Sequence, residues 1–240
     1  MLERHFAFYS ERFQCLDEVG LLRFLTGGLS LRRTGIVVSF DDGIRDNAEV
    51  AAPLLERFRL VGWFMVPGGY IDSPLAAQPR FYRQRIRAVP DAEHPADGSG
   101  HAMTWPDVRS LADRGHVVAC HTWSHRTLGV DVSAADVDDE VLVARDRLAA
   151  AIGRPVRTFS WVRGFPGDYS ALAHNAVCRG YDLAFMTMSS AIHRTSDPHV
   201  LHRFNVEASF PLPVLRFQIS RLNEAAFARR RRSVERAIRG

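Results

Sequence analysis

The pattern that most constrains this chain is a repeated change of hydrophobic period. Short apolar runs of strand length alternate with segments whose apolar residues recur every three or four positions, which specifies parallel strands crossed by helices. Residues 35–40 (GIVVSF) read as a buried strand, 47–59 (NAEVAAPLLERFR) as a helix, and 61–66 (VGWFMV) as a second strand closed by Pro67, Gly68 and Gly69. Residues 88–100, polar and carrying Pro and Gly, read as a surface loop. Thr104 opens a helix with a capping signature, because Pro106 stands in the first turn and Asp107 three residues on; Gly115 ends it. Residues 117–120 (VVAC) form the next strand, followed by a helix from about 136 to 151 with Gly153 at its end and a strand at 156–162. Residues 171–179 read as a helix stopped by Gly180, 183–187 (LAFMT) as a strand, and about 214–238 as a last helix that begins apolar and ends in arginines. Without a repeat, low-complexity tract or linker, residues 1–240 read as one α/β domain, its core at about 35–206 and a C-terminal helical segment at 207–240.

Composition narrows the chemistry. The 31 basic residues are all arginine, so a Schiff-base lysine and a lysine-bearing phosphate loop are excluded. The formal charge of +4 is a property of the tail: Arg229, Arg230, Arg231, Arg232, Arg236 and Arg239 against Glu235 sum to +5, leaving the rest near −1. Phe227 is the one ring near those arginines, so the stacking expected of a nucleic-acid partner is missing, and a solvated helix end or an oligomer contact is the plainer reading. Three cysteines without Cys-x-x-Cys spacing indicate neither a disulfide framework nor a cysteine zinc site, and a reducing compartment fits them. The first twenty residues carry charge throughout and no run reaches the roughly 18 apolar residues of a membrane span, so the expected location is cytoplasmic.

Three strand ends carry reactive groups. GIVVSF ends in Asp41, Asp42 and Gly43; two carboxylates where a buried strand meets a loop can divide the work, one binding a cation and the other staying free as a base. VVAC runs into HTWSH, where His121 and His125 stand four residues apart, the spacing at which one helical turn aims both imidazoles at a single point. TFSWV ends in Arg163, placed to hold one of the carboxylates ionised and oriented. Active sites of parallel α/β folds gather at that edge of the sheet.

These residues resemble the NodB-type polysaccharide deacetylases, carbohydrate esterase family four, from about 35 to 187 and on toward 206. SFDDG resembles that family's Thr-Phe-Asp-Asp-Gly motif, and HTWSH its His-Ser/Thr-x-x-His motif, in the same order. The resemblance implies a distorted (β/α) barrel with fewer than eight regular units and a divalent metal, usually zinc. It further implies Asp42, His121 and His125 as ligands, Asp41 as general base and Arg163 as the arginine set against that base. Three ligands of this type leave a zinc ion open to water and to a carbonyl oxygen, which suits catalysis rather than structure.

Two motifs depart from the family. Read without a gap, Pro166, which has no N–H, stands where the family has an oxyanion-binding N–H; a one-residue insertion would instead offer Gly167. For the general acid, His193, His199 and His202 compete, and His202 is favoured because it follows Val200 and Leu201; LHRFNV equally resembles a family variant with an Arg and no acid there. Asp182 stands near a further acidic family position, while Trp123 and Trp161 read as packing or pocket walls. The expected activity is removal of an acetyl or formyl group from an N-acylated amino sugar or sugar conjugate. A ureide or imide hydrolase on the same scaffold and an inactive carbohydrate-binding barrel are the alternatives.

Overall fold

The structure, a computed structural model, describes residues 1–87 and 101–239; the loop expected at 88–100 lies outside them. Among the described residues eight short strands form, β1 (Gln14–Cys15), β2 (Gly35–Ile36), β3 (Val38–Phe40), β4 (Gly62–Val66), β5 (Val117–Cys120), β6 (Thr158–Ser160), β7 (Leu183–Met186) and β8 (Leu201–His202). Strands β3 to β8 lie side by side in chain order, every pair parallel, while β1 and β2 form a small parallel sheet of their own. Sequential parallel order curls a sheet instead of winding it both ways, and the result is a half-barrel of six strands with helices outside. It is the distorted barrel expected from the sequence.

Parallel strands buried on both faces read as continuous apolar runs, and here they are. Every residue of β4, β5, β6 and β7 is buried. Alternation then sorts side chains to two sides. Trp63, Met65, Val117, Ala119, Leu183, Phe185 and Leu201 fill the inside of the half-barrel. Phe64, Val66, Val118, Cys120, Phe159, Ala184 and Met186 face the helices outside.

The expected elements form with local differences. The strand at 35–40 is interrupted at Val37, and the helix at 47–59 is a π-helical turn, Asn47–Ala51, running into Ala52–Arg57. Thr104 and Asp107 make the anticipated reciprocal cap on Trp105–Asp113, and Gly153 ends Ala144–Ile152 with the left-handed backbone that glycine adopts without strain. The single helix expected at about 214–238 is two, Leu212–Gln218 and Arg221–Arg239, because Asn223 Nδ2 donates to Gln218 O at the break.

The N-terminal segment, unassigned from the sequence, packs against the inner residues of the half-barrel. Helix Glu18–Leu25 inserts Leu21 among the inner residues beside Leu16. Trp63 Nε1 donates to Leu16 O at 3.0 Å, and Thr158 Oγ1 donates to Glu18 Oε1 at 2.6 Å. Leu21 is 1% exposed, so Leu21→Ala should lower the free energy of unfolding by about 2–5 kcal/mol in urea titration. A loss below about 0.5 kcal/mol would mean that this helix is not part of the cooperative core.

Candidate active site

The inner surface turns polar at the C-terminal ends of the strands, where Ser39, Asp41, His121, Ser160 and Arg203 replace the apolar residues found deeper. Arg203, just beyond β8, organises them. Its Nη1 lies 2.7 Å from Asp41 Oδ1 and its Nη2 3.0 Å from Asp41 Oδ2, a two-pronged pairing, and the same nitrogens donate to Ser39 Oγ at 3.0 Å and Ser160 Oγ at 2.9 Å. Burial on its own would raise the Asp41 carboxyl. The Arg203 charge, followed by His121, the Arg203 hydrogen bonds and His125, reverses this and lowers it to about 2.

Asp42 leaves the strand with φ 76 and Gly43 follows with φ 62, a reversal that turns the second carboxylate away from the first. Asp42 Oδ1 stands 3.0 Å from His125 Nε2 and 3.7 Å from His121 Nε2. The ligand atoms of these three residues all lie within 4.8 Å of one another. Each imidazole spends its other nitrogen on a carbonyl: His121 Nδ1 donates to Ser160 O at 2.8 Å and His125 Nδ1 to Arg85 O at 2.7 Å. Those bonds fix both tautomers with the Nε2 lone pairs toward Asp42, as in metal-ligating histidines. Burial also lowers the pKa of His121, which favours the neutral form that a cation needs. Two imidazole nitrogens and one carboxylate oxygen form a donor set that fits a divalent ion such as zinc.

The two histidines converge by a different route from the expected helical turn. HTWSH is a bend, with Thr122 at φ 57 and His125 at φ 53, and the two rings sit 4.9 Å apart. Glu140, buried, holds this bend: its carboxylate accepts from the Trp123 and Ser124 N–H groups at 2.8 Å each and from Ser124 Oγ at 2.5 Å. Pro67, Gly68 and Gly69 make room for it, since Gly69 N donates to Trp123 O at 2.8 Å and a Cβ on Gly68 would collide with the Trp123 ring. Trp123 stacks on Trp105, and Trp161, fully buried, packs on Tyr169, so both tryptophans serve packing.

The model of the polysaccharide deacetylase family matches residues 30–179, more than half of the chain. The chain belongs to this family. No curated protein matches it. Solved structures with a similar fold include the deacetylase PplD of Streptococcus pyogenes in complex with acetate, at 16% identity and TM-score 0.72, over 91% of this chain and 85% of that one. They also include a de-N-acetylase from Aggregatibacter actinomycetemcomitans, at 17% and 0.70 over 89% and 86%, and the BpsB deacetylase domain from Bordetella bronchiseptica, at 17% and 0.68 over 85% and 83%.

Three expectations for this deacetylase-family chain are corrected by geometry. Arg163 does not touch Asp41: it stands in the left-handed region at φ 61 with an exposed side chain, and Arg203 occupies the place expected of it. His202 points the other way from Arg203, out of the half-barrel, where its Nε2 lies 3.2 Å from Glu235 Oε1 on the helix Arg221–Arg239. With Leu201 inside, alternation puts His202 outside and Arg203 inside. His193 and His199 lie on the segment entering β8, and Asp182 pairs with Arg157 just before β7, all at the opposite edge of the sheet. In the third motif, Asp168 Oδ2 accepts from the N–H groups of Gly164 and Phe165 at 3.1 and 2.7 Å, which leaves them committed within the loop.

The two arginines should separate in stability. Arg203→Met strands a carboxylate and two serines and should cost about 1–3 kcal/mol in chemical unfolding, a figure kept modest because Asp41 is one-third exposed. Arg163→Met should stay within about 0.5 kcal/mol of the parent. The reverse order would contradict the pairing described here.

Proposed function

We propose that this chain is a divalent-metal-dependent hydrolase that removes an N-acyl group, acetyl or formyl, from an amino sugar or sugar conjugate. The observation that carries the reading is the convergence of Asp42 Oδ1 and two tautomer-fixed Nε2 atoms beside a second carboxylate kept ionised by Arg203. Family membership supports the substrate class, and favours it over the ureide or imide that the same donors would also serve. Asp42, His121 and His125 would hold the ion, with zinc the expected metal; bound there it supplies Lewis acidity toward the acyl oxygen and toward water.

The chain's own residues handle the proton. Asp41, ionised throughout the neutral range, accepts the proton of the attacking water, and Arg203 fixes the direction of its carboxylate. With His202 behind the sheet, Asp41 is also the group in place to return that proton to the departing amine nitrogen. Serines 39 and 160 hold Arg203 from the side and so limit its movement as the charge on Asp41 changes. Three free cysteines, one of them buried, fit work in a reducing compartment such as the cytoplasm. Among the described residues, no helix is long and apolar enough to cross a membrane.

Metal analysis of the purified protein should find about one zinc or similar ion per chain, lost in Asp42→Ala and His121→Ala. Asp41→Asn should keep the ion and lose about 10²–10⁴-fold in acetate or formate release from an N-acylated amino sugar. Full metal content in both ligand variants, or unchanged turnover in Asp41→Asn, would overturn the assignment.

A further inference from the structure

The arginine that the catalytic pairing leaves over stands in a cleft beside the candidate metal site. This cleft, of 330 Å³, is lined among others by Arg85, His125, Arg126, Asp131, Arg163 and Gly167. His125 joins the two regions, since its Nε2 faces Asp42 while the residue itself borders the cleft. The backbone of Arg85 braces that histidine through its carbonyl, and Arg85 lines the same cleft.

The charges there are unbalanced. Among the described residues, no carboxylate comes within 4.0 Å of the guanidinium of Arg85 or Arg163, and Arg126 has one distant partner, Asp136, at 3.7 Å. Asp131 is the one acid among the residues named, against three arginines. Arg163 is also held in place with unusual care for a residue with an exposed side chain. Its carbonyl accepts from Thr187 Oγ1 at 2.7 Å and from Tyr169 Oη at 3.2 Å. Its left-handed φ of 61 and the following Gly164, where a Cβ would collide with Thr187 Oγ1, fix the turn. Backbone held in a sparsely populated region at a cleft wall is where function is concentrated. Guanidinium groups present planar forks of donors that match phosphate and carboxylate oxygens, and a cleft in which positive groups outnumber negative ones draws anions toward it.

We propose that Arg85, Arg126 and Arg163 form a subsite for an oxyanion carried by the substrate, so that the protein takes acidic N-acyl amino sugars, bearing phosphate or carboxylate, in preference to neutral ones. The sugar in this statement rests on the deacylase reading above; the anion rests on the cleft. The site sits one histidine away from the candidate metal, which places the charged group on the sugar or on its immediate substituent.

The test is calorimetric binding to the metal-loaded protein at low salt, with N-acetylglucosamine as the neutral probe. N-acetylglucosamine 1-phosphate and 6-phosphate supply the phosphate, and N-acetylmuramic acid the carboxylate. At least one acidic sugar should bind about 10-fold or more tightly than the neutral one. Added salt should erode that advantage, and Arg163→Gln and Arg85→Gln should each lose most of it. Which acidic sugar leads identifies the oxyanion. Equal affinities, no measurable binding of any probe, or an advantage that survives in both variants would overturn the proposal. Acetate release is scored separately on the same four sugars. Turnover without anion preference removes the subsite and leaves the deacylase; anion preference without turnover of any sugar leaves the subsite and removes the deacylase.

Discussion

The pairing of Arg203 with Asp41 is the interaction on which the rest of the site depends. Asp41 follows β3 and Arg203 follows β8, the two outer strands of the six-stranded sheet, so one guanidinium spans the mouth of the half-barrel from its first strand to its last. Among the described residues no backbone ladder pairs β3 with β8; at this end the two strands are joined by a charge-assisted bridge, and the other end is filled by Leu16 and Leu21. The same guanidinium reaches Ser160 on β6, whose carbonyl orients His121. The joining of the outer strands, the ionisation of Asp41 and the aim of a candidate ligand are thus set by one connected group of side chains.

Backbone strain is concentrated where this group is displayed. Of five non-glycine residues with positive φ among the described residues, four are Asp42, Thr122, His125 and Arg163, all at or just beyond strand ends on the candidate catalytic edge. Conformations of this kind persist only when their surroundings fix them. At HTWSH the fixing group is Glu140, which engages two backbone N–H groups and a hydroxyl; after β6 it is Asp168, with Thr187 and Tyr169 holding the carbonyl of Arg163. The candidate site residues Asp42, His125 and Arg163 therefore sit on turns held by groups outside the site.

Much of the half-barrel was legible because hydrophobic period reports it directly. The runs VGWFMV, VVAC and LAFMT are apolar on both faces, as only strands buried on two sides are, and Asp41, Asp42, His121 and His125 stand at strand ends where that period stops. What was not legible has local physical causes. The N-terminal segment contributes a two-residue strand and an eight-residue helix, both too short for a periodic signal, and the helix Leu2–Arg12, whose buried His5, Phe6 and Tyr9 are set among charged residues. The partner of Asp41 depended on which face of β8 each residue takes, and in a two-residue strand the decision rests on Leu201 alone. A signal was present: serines at 39 and 160 interrupt otherwise apolar runs, and a buried hydroxyl on the inner face calls for a polar partner there. Arg163 carries no such signal, because the turn that removes it from Asp41 is set partly within its own loop, by Asp168 and Tyr169, and partly by Thr187, which lies 24 residues further on.

In the proposed function, Asp42, His121 and His125 form a single cation site beside an ionised Asp41. Anomalous diffraction from crystals of the zinc-loaded protein tests it most directly. One anomalous peak should appear about 2.0–2.2 Å from Asp42 Oδ1 and from the Nε2 atoms of His121 and His125, with Asp41 still paired to Arg203. No peak at this position, or a peak bound instead by other side chains, would rule out the Asp42, His121 and His125 site.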